Sequence, residues 1–127
     1  MKFLHSMIRV KDIDASLKFY TELLDMNLDE KRRLDDCWLY FLSDEQKTCQ
    51  IELTYNDETP ENGDNTGNGF GHFAFSVDSL DKFTEKLHRL GYEYLYEPFD
   101  LNGKSSMIAF IKDPDGYEIE LIENVKW

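Results

Sequence analysis

Long hydrophobic runs are missing from this sequence. No apolar stretch approaches the roughly 20 residues that a membrane-spanning helix needs, so a helical membrane protein is not expected. Cysteine is scarce. The two residues of this type, Cys37 and Cys49, form no CxxC pair, and in a small domain they read as reduced thiols rather than as a disulfide framework. Positive charge is also in deficit: 14 Lys and Arg stand against 26 Asp and Glu, a net charge of −12. Nucleic acid and anionic membrane surfaces are therefore poor partners. The same field repels anionic small molecules, so an anionic substrate would require a local Arg or Lys. The opening residues Met1-Lys2-Phe3-Leu4-His5 turn polar too soon for a signal peptide, and a cytoplasmic location is the expectation. The acidic run 57–64 lacks the spacing of an EF-hand loop and reads as a solvated connection.

What is present suits a folded domain. Hydrophobic residues make up 41% and aromatics 14% of 127 residues, enough for a core. That length corresponds to one ordinary domain, or to two very small ones packed together. Residues 3–10 read as a strand. Asp12 is a plausible N-cap, and apolar residues at 13, 17, 20, 23 and 24 predict a helix. Strands are expected near 27–33, 37–42 and 48–55, followed by a stretch rich in Asn, Asp, Gly, Glu and Thr. The pattern then starts again. A strand over 70–77 leads to a helix capped by Asp78 or Ser79, carrying Leu80, Phe83, Leu87 and Leu90 and ended by Gly91. Strands near 92–97, 106–112 and 117–123 follow, the last after the turn Asp113-Pro114-Asp115-Gly116.

The two halves superpose as sequences. His5 falls on His72, Val10 on Val77, Ile13 on Leu80 and Asp14 on Asp81, an offset of 67. Ile51-Glu52-Leu53 falls on Ile119-Glu120-Leu121, an offset of 68. An α+β fold of paired βαβββ modules follows, with mixed sheets. Residues 1–127 read as a single domain of two such repeats, about 1–56 and 69–127, joined by a polar loop at 57–68.

Each repeat has a His in its first strand and a Glu in its last. Strand side chains alternate between faces. His5, Met7 and Arg9 share one face, as do Glu52, Thr54 and Asn56; His72 and Glu120 likewise lie opposite the apolar stripes of their strands. That face would line a cleft. Imidazole and carboxylate suit borderline first-row ions such as Ni, Co, Fe, Mn or Zn. Four such ligands leave two positions of an octahedron open, as a catalytic site needs. Taken singly, a strand His is more often a satisfied polar residue, and a strand Glu a solvated one. The case for a metal rests on the matched pairs and their common facing. His88, on the polar side of the second helix, is read as solvent-exposed.

These residues resemble glyoxalase I (lactoylglutathione lyase) of the vicinal oxygen chelate superfamily in its short bacterial form. The resemblance is carried by Phe3-Leu4-His5-Ser6-Met7-Ile8-Arg9-Val10, Ser16-Leu17-Lys18-Phe19-Tyr20, Ile51-Glu52-Leu53-Thr54-Tyr55-Asn56, Gly71-His72-Phe73-Ala74 and the segment from Ala109 to Leu121. It implies a homodimer with metal sites between subunits, His5 and Glu52 coming from one chain and His72 and Glu120 from the other. It implies one divalent ion per site in a nickel- or cobalt-activated class, with zinc as the alternative. The implied reaction is isomerisation of the methylglyoxal–glutathione hemithioacetal to S-D-lactoylglutathione through an enediolate, with Glu120 as the main base and Glu52 as the second catalytic carboxylate. Arg9, Asn56 and Lys104 would hold the thiol cosubstrate. The chain departs from its longer relatives at Asn68, where they carry an Arg; a thiol other than glutathione is compatible with that change. Two other kinds of function stay open on the sequence: another enzyme of the superfamily (an epimerase or extradiol dioxygenase), or a non-catalytic small-molecule binding or resistance protein.

Overall fold

The computed structural model describes residues 1–101, 103 and 107–123. The chain divides into two compact units, Met1–Thr66 and Gly67–Trp127. The division falls inside the polar stretch that separates the two repeats in the sequence.

The first unit begins with strand β1 (His5–Arg9). Helix α1 (Ile13–Lys18) follows, and its Asp12 cap accepts the Ala15 N–H at 3.1 Å. Such a cap satisfies one of the amide groups that a helix start leaves unpaired. The helical path then widens into a π-helical turn, Phe19–Leu23, where the Leu24 N–H reaches back to the Phe19 carbonyl. The sequence spacing predicts one continuous helix here, and the face it predicts is the one buried: Phe19, Tyr20 and Leu23 have almost no exposure. Strands β2 (Asn27–Arg33), β3 (Cys37–Ser43) and β4 (Gln50–Asn56) complete a sheet of order β1-β4-β3-β2. Strands β1 and β4 run parallel, while the other pairs are antiparallel.

The second unit repeats this plan. Strand β5 (His72–Val77) leads to helix α2 (Leu80–Arg89), whose cap is Ser79. The Leu80 N–H donates to a Glu123 carboxylate oxygen at 2.6 Å. A carboxylate from the last strand thus sits at the positive end of the helix, where its charge is favourable. Strands β6 (Tyr96–Asp100), β7 (Met107–Lys112) and β8 (Glu118–Glu123) give the order β5-β8-β7-β6, again with one parallel pair, β5 with β8. Strand β6 starts later than the sequence predicts. The reason is local: Gly91, at φ 85°, turns the chain out of the helix, and the Tyr92 N–H still bonds back to the Leu87 carbonyl. The ladder between β6 and β7 is irregular between Tyr96 and Phe99, around Pro98, which has no N–H to donate.

Each sheet buries one face. Ile8, Val10, Ile51 and Leu53 are buried in the first unit, and Ile111, Ile119 and Leu121 in the second, together with the apolar residues of the local helix. The alternate residues on these strands are left for the opposite face. His5, Glu52, His72 and Glu120 are among them.

Candidate metal centre

The parallel strand pair of each unit brings its own His and Glu together. In the first unit, Met7 is the register partner of Glu52, and His5 lies two residues back on the same face. His5 Nε2 stands 2.8 Å from Glu52 Oε2. In the second unit, Ala74 is the partner of Glu120, and His72 Nε2 stands 3.0 Å from Glu120 Oε2. The two arrangements are equivalent, as the sequence offset requires.

Burial is distributed in the same way in both. The imidazoles reach solvent, with side-chain exposures of 37% and 42%, while the carboxylates are recessed at 11% and 15%. Glu52 has its other oxygen occupied by the Thr54 hydroxyl, which donates at 3.1 Å. A recessed carboxylate held at both oxygens keeps a fixed orientation, because a free buried charge would be costly.

Sequence reasoning missed two aromatic side chains. Phe41, the register partner of Glu52, stands edge-on to His5 at 5.5 Å between ring centres. Phe110, the partner of Glu120, stands edge-on to His72 at 5.7 Å. Each half therefore presents a His–Glu–Phe trio. The signal was available: each repeat has a Phe, 11 residues before the Glu in the first and 10 in the second. Its weakness is that a strand Phe usually means core packing.

The remaining candidates fall as follows. Arg9 is exposed on β1, on the face of His5, opposite Thr54 in the register. Asn56 is half-buried at the end of β4. Lys104 lies outside the described residues. Asn68 is exposed in a turn just before β5. His88 is half-exposed, 3.5 Å from Glu93. Both cysteines are free thiols, Cys37 buried and Cys49 exposed. Among the described residues no helix is long and apolar enough to cross a membrane.

The donor chemistry fits a divalent ion of the borderline class. Imidazole nitrogen and carboxylate oxygen are its ordinary ligands, and each pair already places one of each within 3.0 Å. Among the described residues no group of three or more His, Cys, Asp or Glu side chains gathers to hold an ion, so each pair supplies two donors.

Residues 2–121 match the family model described as the Glyoxalase/Bleomycin resistance protein/Dioxygenase superfamily. A probable lactoylglutathione lyase from Synechocystis is 40% identical, over 97% of this chain and 95% of its own length. Glyoxalase I from Zea mays superposes with a TM-score of 0.84 at 37% identity, over 98% of this chain and 45% of the maize chain. This chain thus spans about half the length of the maize protein. The trypanothione-dependent glyoxalase I of Leishmania major superposes with a TM-score of 0.77 at 34% identity, covering 97% of this chain and 86% of that one. Two mixed four-stranded sheets, each with its helix and its His–Glu pair, and identity at this level over nearly the full length agree: the chain belongs to the Glyoxalase/Bleomycin resistance protein/Dioxygenase superfamily, and within it to the lactoylglutathione lyase (glyoxalase I) family.

Proposed function

We propose that this chain is a metal-dependent lactoylglutathione lyase that removes methylglyoxal by isomerising its thiol hemithioacetal to an S-D-lactoyl thioester. The observation that carries this reading is the duplicated His–Glu pair, at 2.8 and 3.0 Å, in a chain 40% identical to a probable lactoylglutathione lyase. A single pair would be an ordinary polar contact. Two equivalent pairs at matched positions would together supply two imidazoles and two carboxylates to one divalent ion, a donor set suited to a catalytic metal.

His5 and Glu52 of one chain and His72 and Glu120 of a second copy would hold the ion, so the working form is a homodimer and residues 1–127 act as one domain. A bound divalent ion supplies Lewis acidity, which stabilises the negative charge that builds on the substrate oxygens as the proton leaves carbon. Nickel or cobalt is our first choice, zinc the second. Glu120 takes the proton from C1 of the hemithioacetal, and a carboxylate returns one to C2. Glu52 is the pseudo-symmetric candidate for that return. Arg9 and Asn56 lie on the face of the first pair and bind the thiol half of the substrate. A fixed cation there answers the repulsion that a carboxylate meets from a protein of charge −12. The cytoplasm, where both thiols stay reduced, is the location that fits.

Stripping the protein with a chelator and reloading it with Ni²⁺, Co²⁺ or Zn²⁺ tests the reading. Turnover of hemithioacetal to thioester is expected to vanish and return with at least one ion. Glutathione and other small thiols should be assayed in parallel, because Asn68 provides no cation. Glu120→Gln is expected to fold normally and to lose about 10²–10⁴-fold in kcat. Absence of turnover with every ion and thiol would leave a binding protein instead.

A further inference from the structure

A cavity of about 430 Å³ opens beside His5, built entirely from the first unit. It lies at the His5 end of the sheet, where His5 faces Gln50 in the register. Arg9 faces Thr54 at the other end of the same strand pair, about 13 Å further along at the usual strand rise. A substrate whose thiol half is anchored at Arg9 and Asn56, and which crosses the His5–Glu52 pair, therefore directs its aldehyde-derived end toward this cavity. Pockets that take drug-sized ligands measure roughly 300–1,000 Å³. The methyl group of methylglyoxal would leave most of this one unfilled.

Two cations, Arg32 and Lys47, line the cavity beside two carboxylates, Asp29 and Glu30. The Arg32 guanidinium lies 5.6 Å over the Phe41 ring, the ring that flanks His5. Its Nε and Nη2 donate to one Glu30 oxygen at 3.0 and 2.6 Å. That fixes the guanidinium while using two of its five N–H donors. In the second unit the corresponding neighbour of Phe110 is the neutral ring of Tyr96. The charge is therefore particular to this half of the repeat. Lys47 supplies a second cation to the same lining. It is held at φ 55°, a left-handed backbone that a lysine rarely adopts, by Asp44, whose Oδ1 accepts the N–H groups of Gln46 and Lys47 at 3.0 Å. Lys47 forms no salt bridge among the described residues, and its charge helps to hold the Asp29 carboxyl of the same lining below its ordinary range, after the hydrogen bonds from Ser43 and Gln50.

The two carboxylates of the lining are already engaged. Glu30 is bound to Arg32, and Asp29 accepts the Gln50 amide at 2.9 Å. The Ser43 hydroxyl beside Asp29 helps to hold that carboxyl below its ordinary range, as does Gln50. Ser43 Oγ is itself buried, at the edge of this lining.

We propose that this cavity is a subsite for an oxyanion, a carboxylate or phosphate, carried on the aldehyde-derived half of the substrate, with Arg32 and Lys47 as its cationic contacts. The inference rests on the lactoylglutathione lyase reading and extends its substrate class to larger, negatively charged 2-oxoaldehydes.

The direct test compares hemithioacetals of phenylglyoxal, 4-carboxyphenylglyoxal and 4-phosphonophenylglyoxal, formed with the thiol that supports turnover. The expected result is a kcat/KM about tenfold or more in favour of at least one charged substrate, the scale of a charge-assisted hydrogen bond. The favoured one tells carboxylate from phosphate. The advantage should fall toward unity in Arg32→Leu and Lys47→Gln, and should shrink as salt is raised. Calorimetry of S-(4-carboxybenzyl)glutathione against S-benzylglutathione gives a readout without catalysis. If no hemithioacetal turns over, the enzyme reading fails and the calorimetry still decides the subsite. Equal affinity of the two ligands, binding of neither, or a preference unchanged in both variants would overturn the proposal.

Discussion

Two thiols illustrate how far one residue's surroundings decide its chemistry. Cys37 is buried in β3, and burial, followed by the charge of Asp36, pushes its thiol above the ordinary range. Thiolate is the reactive form, so this residue should be inert at neutral pH. Cys49 is exposed. A chromogenic disulfide reagent is expected to label one thiol per native chain and two after unfolding; rapid labelling of both in the native state would contradict the burial of Cys37. A second residue-scale prediction concerns Asp57. Its carboxyl is held below the usual 3.8, first by its hydrogen bonds to Arg33, at 2.7 and 2.6 Å. For a carboxylate with a depressed folded value, the stabilisation is fully present above the unfolded value and is lost as pH falls through the folded one. The stability gap between wild type and Asp57→Asn should therefore close as pH drops below 3.8, and high salt should narrow it at any pH because the pair is exposed. Urea unfolding at a series of pH values measures both.

At the scale of the element, β4 joins core and site. Leu53 has no exposure, and by strand alternation Glu52 and Thr54 face the other way. Leu53→Ala should cost about 2–5 kcal/mol of stability, the usual range for a buried leucine. Thr54→Val keeps the shape but removes the hydroxyl that donates to Glu52, leaving a recessed carboxylate oxygen unpaired. It should destabilise by only about 1–3 kcal/mol while weakening metal uptake, measured by titrating the stripped protein with Ni²⁺. Strand alternation is the reason such effects separate, and alternation is visible in a sequence. The face of every proposed ligand was legible for that reason. The start of β6 was not, because the Gly91 turn and the Tyr92 bond to Leu87 depend on how helix α2 ends. The π-helical turn at Phe19–Leu23 was equally hidden, since it changes the backbone path without moving the apolar face. Phe41 and Phe110 escaped notice because periodicity cannot tell a ring that packs in the core from one that flanks an imidazole.

For the whole molecule, the duplicated unit is the organising fact. Offsets of 67 and 68 in the sequence become two sheets of the same order, each with one parallel pair that closes a His onto a Glu. Each unit offers two donors, and in the function proposed above pairs from different copies of the chain complete a site. Complementation tests this most directly. Glu52→Ala and Glu120→Ala are each expected to be inactive alone. Unfolded together and refolded as an equal mixture, they should form mixed dimers in which one site receives both substitutions and the other receives neither. About a quarter of the wild-type rate should return if subunits pair at random in a two-fold dimer. A mixture as inactive as its two components, despite mixed dimers shown by mass spectrometry, would contradict a site shared between copies.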